Sequence, residues 1–240
     1  MIAWCHRISG LLLVAFVLFH IYAIQSLGFP DRYNADMKLY DFFILRILEW
    51  ALSIPVIFHA LNGGRLILYE SFGVRDDRSM IEWLFGLAIL YVAILGILML
   101  MGTQSVSPFF FWLLVMAGGL SLASGALSKV WDRRHSLPWR LQRLTAAFLL
   151  VMLPAHMLFM HLNPSMAKDA EAVVVRLQSG FMKFVDLLLL LALVFHGGYG
   201  LVSIAKDYLS SRALTVGLAV LIALTMLVAA WAGIRITLTV

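Results

Sequence analysis

Four histidines lie within long apolar stretches of this chain, and their spacing arranges them in two pairs. His59 and His196, the inner pair, each follow a phenylalanine, precede a glycine by four residues and lie 137 positions apart. His20 and His156, the outer pair, lie 136 positions apart. Since a helix rises about 1.5 Å per residue, the members of each pair are expected at one depth, with the outer pair nearer the opposite surface. An ionisable side chain inside a membrane indicates a functional site.

Two imidazoles at one depth on neighbouring helices are what six-coordinate haem b requires. The iron takes an axial nitrogen from each face, and a helix bundle supplies the apolar slot. We therefore expect each pair to ligate one haem iron. For a single membrane histidine, an interhelical hydrogen bond is the competing interpretation, and the repetition of the pattern favours ligation.

Two glycines and three arginines are expected to surround the inner pair. Gly63 and Gly200 follow the histidines by one helical turn and would let a macrocycle approach the backbone. Arg7, Arg65 and Arg143 are expected at the level where haem propionates would emerge, and a guanidinium pairs with a carboxylate through two hydrogen bonds. The competing interpretation is that these arginines are ordinary positive-inside anchors.

The elements that must position these side chains are membrane helices. Of 240 residues, 62% are hydrophobic and only 13% are charged, and the mean hydropathy is +0.95. This composition excludes a soluble globular protein. A crossing takes about 20 residues, so the chain has room for seven spans and none for a soluble catalytic domain. Any soluble chemistry is expected to belong to a partner, since the single cysteine, Cys5, builds neither a disulfide nor a metal cluster.

The sequence predicts an all-α integral membrane bundle of about seven transmembrane helices. The apolar runs place the spans at residues 8–27, 42–69, 83–101, 109–130, 139–162, 181–205 and 213–233. Charged positions that recur around the inner pair, and the likeness of residues 6–10 to residues 142–146, indicate an internal duplication. Spans 1–3 (residues 1–105) and spans 5–7 (residues 133–240) form the two repeats, and span 4 (residues 106–132) links them.

The basic residues predict an orientation. Eleven of the 18 lysines and arginines fall on the side of the N-terminus, among them Arg7, Arg133 and Arg134, and seven fall on the other side. Because basic loops stay inside, the N-terminus is expected in the cytoplasm. The net charge of +5 is therefore interpreted as a topology signal and not as a nucleic-acid-binding surface.

At these residues the chain resembles the cytochrome b membrane anchor of succinate dehydrogenases and fumarate reductases. His-Arg-Ile-Ser-Gly at residues 6–10 is similar to the opening of the larger anchor subunit, and residues 59–65 are similar to its haem-ligand motif. Residues 196–200, with Asp207 and Tyr208, are similar to the haem-ligand helix and the quinone-contacting Asp-Tyr pair of the smaller subunit. The chain looks like the two subunits fused through span 4.

The resemblance implies a function and a set of partners. In di-haem members of the family the ligands come from four helices in this order. The resemblance therefore implies two haems b, one held by the inner pair and one by the outer pair, and at the least one of the two. A flavoprotein and an iron–sulfur subunit would bind the cytoplasmic loops, at the cytoplasmic membrane of a bacterium or archaeon. Electrons would pass between these subunits and a membrane quinone or menaquinone, with succinate and fumarate as the soluble couple.

The resemblance also implies an inner quinone site. Arg7, Asp207 and Tyr208 match residues of that site, but Ala3 stands where the two-subunit enzymes have a quinone-binding serine. The hydroxyl expected there is therefore missing from this chain.

A second candidate quinone site lies at the outer ends of spans 2 and 6. Glu49 and Asp186 could exchange quinone protons there, and the competing interpretation is that they pair with Arg46 and Lys183. Two haems at different depths make most sense if electrons must cross the membrane, which favours the outer site.

Two other functions stay open from the residues alone. One is a di-haem quinol cytochrome b that serves another dehydrogenase. The other is a haem-free transporter whose histidines relay protons or bind a substrate.

Overall fold

The computed structural model describes residues 1–101, 106–131 and 135–240, and these residues form helices and short connections without strands. Arg133 and Arg134, which enter the predicted charge balance, lie outside the described residues. The predicted segment boundaries at residue 105 and at residues 132–133 lie outside them as well.

Seven of the helices in the described part of the chain are long and apolar enough to cross a membrane. The helices are α1 (Ile2–Ala23, continued by a 3-10 turn, Ile24–Gly28), α2 (Pro30–Tyr40), α3 (Phe43–Phe72), α4 (Asp77–Met101), α5 (Pro108–Val130), α6 (Leu137–Leu162), α7 (Ser165–Lys168), α8 (Ala170–Leu177), α9 (Gly180–Tyr208) and α10 (Arg212–Thr239). The spanning helices are α1, α3, α4, α5, α6, α9 and α10. The prediction of an all-α membrane bundle with seven spans is confirmed.

Most spans extend beyond the apolar run that predicted them. Helix α1 begins at Ile2 instead of residue 8, and α10 continues to Thr239 instead of residue 233. Apolar runs underestimate a membrane helix because its last turns carry polar side chains at the surface while the backbone hydrogen bonds continue. His6 and Arg7 therefore lie in the first turns of α1, at what we call the inner end of the bundle.

Four helices form the centre of the molecule and pack in a closed ring. In this four-helix ring α1 contacts α3, α3 contacts α6, α6 contacts α9, and α9 contacts α1. Helix α4 lies against α3 and α6, and α10 lies against α9 and α1, so α4 and α10 occupy equivalent places. This equivalence is consistent with the predicted duplication. All four histidines of the two pairs lie on the four-helix ring.

Helix α5, the predicted linking span, packs closely against the ring. Trp112 is fully buried in a cluster with Phe148 and Met152 of α6 and Val185 of α9. A Cβ added at Gly119 would lie 3.3 Å from Met152 Cγ, so the missing side chain permits close approach of α5 to α6.

Three short helices, α2, α7 and α8, cover the outer end of the bundle. Tyr33 of α2 is 3% exposed and packs in one cluster with Leu177 of α8 and Ile236 of α10. The Tyr33 hydroxyl donates to the carbonyl of Ala167 at 2.5 Å. Burial raises the pKa of Tyr33 to about 12, so the hydroxyl remains a neutral donor. The apolar runs did not predict these helices, because they are short and partly polar.

Candidate functional site

The structure brings the members of each histidine pair together across the four-helix ring. His59 on α3 and His196 on α9 have ring centroids 6.2 Å apart and planes at 89°. His20 on α1 and His156 on α6 have centroids 6.4 Å apart and planes at 82°. Helices α3 and α9 are one diagonal of the ring, and α1 and α6 are the other. The members of each pair therefore come from diagonally opposite helices of the ring.

These separations fit two axial ligands of one iron. Two imidazole nitrogens on opposite sides of a metal, each at roughly 2 Å, hold their ring centroids roughly 6 Å apart. Among the described residues, no group of three or more His, Cys, Asp or Glu side chains is arranged to hold a metal ion. A site with two protein ligands suits a macrocycle that supplies its own four equatorial nitrogens.

The surroundings of His59 decide which ring nitrogen carries the proton. His59 Nδ1 lies 3.1 Å from the carbonyl oxygen of His6 and 3.3 Å from Ser9 Oγ. Ser9 Oγ donates its own hydrogen to the same carbonyl at 3.0 Å. Both neighbours can therefore only accept, so Nδ1 is the N–H donor. Nε2 keeps its lone pair and is the nitrogen available to a metal.

His196 has corresponding neighbours. Thr145 Oγ1 lies 3.5 Å from His196 Nδ1 and donates to the carbonyls of Leu141 at 2.8 Å and Gln142 at 3.1 Å. Thr145 is the counterpart of Ser9 at the repeat offset of 136. The same tautomer, with Nε2 free, follows for both inner histidines.

His6 contacts the inner pair, although the sequence did not predict it as a site residue. Its ring stacks on His59 with centroids 4.0 Å apart and planes 3° apart. Within the described residues its buried Nδ1 has no hydrogen-bond partner. The signal that could have found it is its place in the duplicated motif, since its counterpart Gln142 also lies beside an inner histidine.

Three glycines lie against this site. A Cβ at Gly63 would lie 3.9 Å from His6 Cε1, and one at Gly200 would lie 3.9 Å from Gln142 Nε2. A Cβ at Gly10 would lie only 3.0 Å from His59 Cε1. Gly63 and Gly200 were predicted to let a macrocycle approach, and they border the side chains next to the inner pair. Gly10 sets the approach of α1 to the His59 ring.

The outer pair has different surroundings. His156 Nδ1 is buried and has no hydrogen-bond partner among the described residues. The ring of Trp112 on α5 lies 6.2 Å from the His156 ring, and its buried indole N–H is likewise unpaired there. Buried polar groups are normally satisfied, so two such atoms side by side fit the polar periphery of a bound cofactor. The sequence missed Trp112 because span 4 was interpreted only as a link.

Two of the predicted arginines form ion pairs between the predicted repeats at the inner end. Arg7 donates to Asp207 at 2.6 Å and to the Tyr208 hydroxyl at 2.7 Å. Arg143 donates to Glu70 at 2.6 Å. Asp207 and Glu70 are counterparts at the offset of 137, as Arg7 and Arg143 are at 136. The structure therefore joins the three residues predicted for the inner quinone site.

Arg65 also holds a carboxylate at the inner end. It pairs with Asp77 of α4 and donates to the buried amide of Asn62 at 3.0 Å. Each of the three predicted arginines thus lies where it binds a carboxylate, which is the group that a haem propionate would present.

The structure does not pair the two outer carboxylates with each other or with the partners considered for them. Asp186 pairs with Arg176 of α8 at 3.2 Å instead of Lys183, and the two side chains are 18% and 8% exposed. Nε and Nη1 of Arg176 are buried and have no partner among the described residues. Arg176 borders a cavity of about 540 Å³. Its lining includes Phe109, Met166, Val175, Ser179 and Met182.

Glu49 lies elsewhere on the outer side. Its carboxylate is 3.9 Å from Nε2 of His161. Arg46, the partner considered for it, pairs instead with Asp41 at 3.3 Å. A hydrogen bond from Lys168 lowers the pKa of Asp41, which keeps this carboxylate charged for both cations.

Comparison with known proteins identifies the family to which the sequence is similar. The sequence matches the family described as succinate dehydrogenase/fumarate reductase transmembrane subunit over residues 1–100 and 126–232. It is 40% identical over 85 residues to the succinate dehydrogenase 2 membrane subunit SdhC of Mycobacterium tuberculosis. That alignment covers 34% of this chain and 62% of the relative, so the chain spans less than two thirds of the relative's length. No solved structure gives a significant match.

Proposed function

Since the chain belongs to the succinate dehydrogenase/fumarate reductase transmembrane subunit family, we propose that it binds haem b and passes electrons between an iron–sulfur subunit and a membrane quinone. It is a multi-pass membrane anchor of an oxidoreductase complex. The observation that carries the proposal is the pair of diagonal His–His contacts within the four-helix ring. Family membership favours this function over a haem-free transporter and over a cytochrome that serves another dehydrogenase.

The chain supplies three kinds of group to the cofactors. The imidazoles of the inner and outer pairs would hold the haem irons, the arginines at the inner end would pair with the propionates, and the apolar ring would exclude water. Bound haem b would supply a reversible one-electron iron centre. The flavoprotein and the iron–sulfur subunit would bind at the inner end, where the chain would act as their anchor.

The cavity that Arg176 lines supports an outer quinone site. Quinone reduction takes up two protons with two electrons, so a site needs a hydrogen-bond donor and a proton-exchanging group. Arg176 has two N–H groups without a partner among the described residues, and Asp186, which does not line the cavity itself, pairs with Arg176. The cavity surface is mostly apolar, and its lining also includes the carboxylates Asp169 and Glu171. These are the features expected of a pocket for an apolar ring that carries carbonyl groups.

The contact cluster of Arg7, Asp207 and Tyr208 supports an inner quinone site as the second candidate. Trp4 adds an aromatic wall, with its ring centroid 5.7 Å from that of Tyr208. The serine hydroxyl that the family places near this point is replaced by Ala3.

Haem stoichiometry tests the proposed function. The purified complex should contain two low-spin haems b per copy of this chain. His59→Ala should remove one haem and leave the other, whereas His135→Ala should remove none, because His135 stacks on Trp139 away from both pairs. One haem in the unaltered complex would exclude the outer pair as ligands, and none would overturn the proposal.

A further inference from the structure

We propose that Ser9 and Thr145 are positioning residues that fix the proton and the ring orientation of the inner pair, and that their hydroxyls lower the reduction potential of the haem held there. The inference rests on the proposed haem binding. It adds to the proposed haem binding two residues that would act through His59 and His196.

The direction of the hydrogen bonds carries the first step. A hydroxyl can donate to or accept from an imidazole, so a Ser–His contact alone leaves the tautomer open. Here each hydroxyl donates its hydrogen to a carbonyl of its own helix. Ser9 donates to the carbonyl of His6, and Thr145 donates to the carbonyls of Leu141 and Gln142. Only the lone pairs of the hydroxyl oxygens remain for the rings. Nδ1 must therefore donate, and Nε2 is left as the metal ligand.

Recurrence on two separate helix pairs carries the second step. The contact between Ser9 and His59 joins α1 to α3, and that between Thr145 and His196 joins α6 to α9. Each hydroxyl donates to the carbonyl of the residue three positions before it, and for Ser9 this carbonyl, that of His6, also lies beside the ring of His59. A packing role needs only a small side chain at these positions. To determine which imidazole nitrogen carries the proton, positions 9 and 145 must each present a hydroxyl oxygen whose hydrogen points away from the ring.

The outer pair provides the contrast. His156 Nδ1 has no hydrogen-bond partner among the described residues, so no hydroxyl accepts its proton there. An effect that passes through Ser9 and Thr145 should therefore be confined to the inner haem.

The expected sign follows from the chemistry of the ligand. An acceptor on the Nδ1 proton makes the ring more electron-rich and more basic at Nε2, which stabilises ferric over ferrous iron. Removing the Ser9 hydroxyl takes away one of the two acceptors of the His59 Nδ1 proton, the other being the His6 carbonyl, and should raise the midpoint potential. The effect of Ser9 should be larger, since its oxygen lies 3.3 Å from Nδ1 and that of Thr145 lies 3.5 Å away.

The test is a redox titration of both haems in the intact complex, with low-temperature EPR of the oxidised protein. The variants are Ser9→Ala, Thr145→Val and the double change. Thr225→Val is the matched control, since Thr225 makes the same bond to the carbonyl four residues before it but lies on α10. The haem lost in His59→Ala identifies the inner signal.

The single changes should raise the midpoint potential of the inner haem and shift its EPR signal, the double change should do so further, and the outer haem should not move. The variants Ser9→Thr and Thr145→Ser keep a hydroxyl at each position and should therefore have the midpoint potential of the unaltered protein. An unchanged inner haem in the double variant, or equal shifts of both haems, would overturn the inference while leaving haem binding intact. If the double variant does not assemble, the single variants decide by the same criteria. An unaltered complex without haem would overturn the proposed function itself.

Discussion

At the scale of residues, a single glycine controls the space beside His59. A Cβ at Gly10 would meet His59 Cε1 at 3.0 Å, closer than a side chain tolerates without a shift of the ring. Gly10→Ala should therefore displace His59 and reduce the occupancy of the inner haem or shift its absorption band. Haem content and the reduced-minus-oxidised spectrum of the purified complex measure this.

Gly86→Ala is the control for that change. Gly86 lies on the membrane helix α4 and has no atom within 4 Å of an added Cβ. This alanine should leave both haems in place and favour the helix by up to about 1 kcal/mol. Equal spectra for Gly10→Ala and the unaltered complex would contradict the close contact.

The outer carboxylates separate the two candidate quinone sites. Asp186→Asn should slow quinone turnover several-fold, because the buried group beside Arg176 can no longer exchange a proton, and Glu49→Gln should have a smaller effect, since Glu49 lies beside His161. Both variants should keep two haems and full activity with an artificial acceptor. If Tyr208→Phe abolishes quinone turnover and neither outer substitution changes it, the inner site carries the reaction.

Sequence reasoning succeeded for residues whose pattern repeats and failed for those defined by tertiary approach. The members of each pair could be predicted to meet because they recur at nearly the same offset, 137 for the inner pair and 136 for the outer pair, and at a shared depth within each pair. The partner of Asp186 could not be predicted, because Arg176 reaches it only through the folding of α8 onto the outer end. Trp112 was missed for a similar reason, since nothing in span 4 indicates which ring helix it packs against.

At the scale of elements, a part-buried hydrogen bond joins α2 to α7 in the outer cap. Tyr33→Phe removes the donor to the Ala167 carbonyl. We expect a loss of about 0.5–1.5 kcal/mol in unfolding free energy. Thermal unfolding in detergent measures it. Tyr22→Phe, at a side chain that is 73% exposed, should lose nothing comparable. Equal unfolding temperatures for both variants would show that the bond does not stabilise the cap.

The number of membrane spans could be predicted from the sequence, but the order of the helices around the ring could not. Apolar length determines that a segment crosses the membrane, because unpaired backbone groups are too costly in lipid. Which helix faces meet depends on side-chain packing. An example is the close approach of Met152 on α6 to Gly119 on α5, which has no side chain. The cap helices were not predicted because they do not cross the membrane and therefore need no long apolar run.

At the scale of the whole molecule, the single cysteine reports the orientation. Cys5 is exposed near the start of α1, at the inner end. With the N-terminus in the cytoplasm, a membrane-impermeant thiol reagent should label Cys5 in inside-out vesicles stripped of the soluble subunits, and not in right-side-out vesicles. Binding of those subunits at the inner end should protect it.

A reversed reporter provides the control. Cys5→Ser combined with Ser165→Cys places the thiol on α7 at the outer end, where residue 165 is exposed. Its labelling should follow the opposite pattern. Labelling of Cys5 in right-side-out vesicles would contradict the predicted orientation and place the N-terminus outside.

The two ion pairs at the inner end have a consequence for the gene. Arg7–Asp207 and Arg143–Glu70 each join a residue before the linking helix to one after it, and so does each histidine pair. Neither half, made by itself, would bring the members of a histidine pair together. With both halves on one polypeptide, every completed round of translation delivers them in equal number and already tethered.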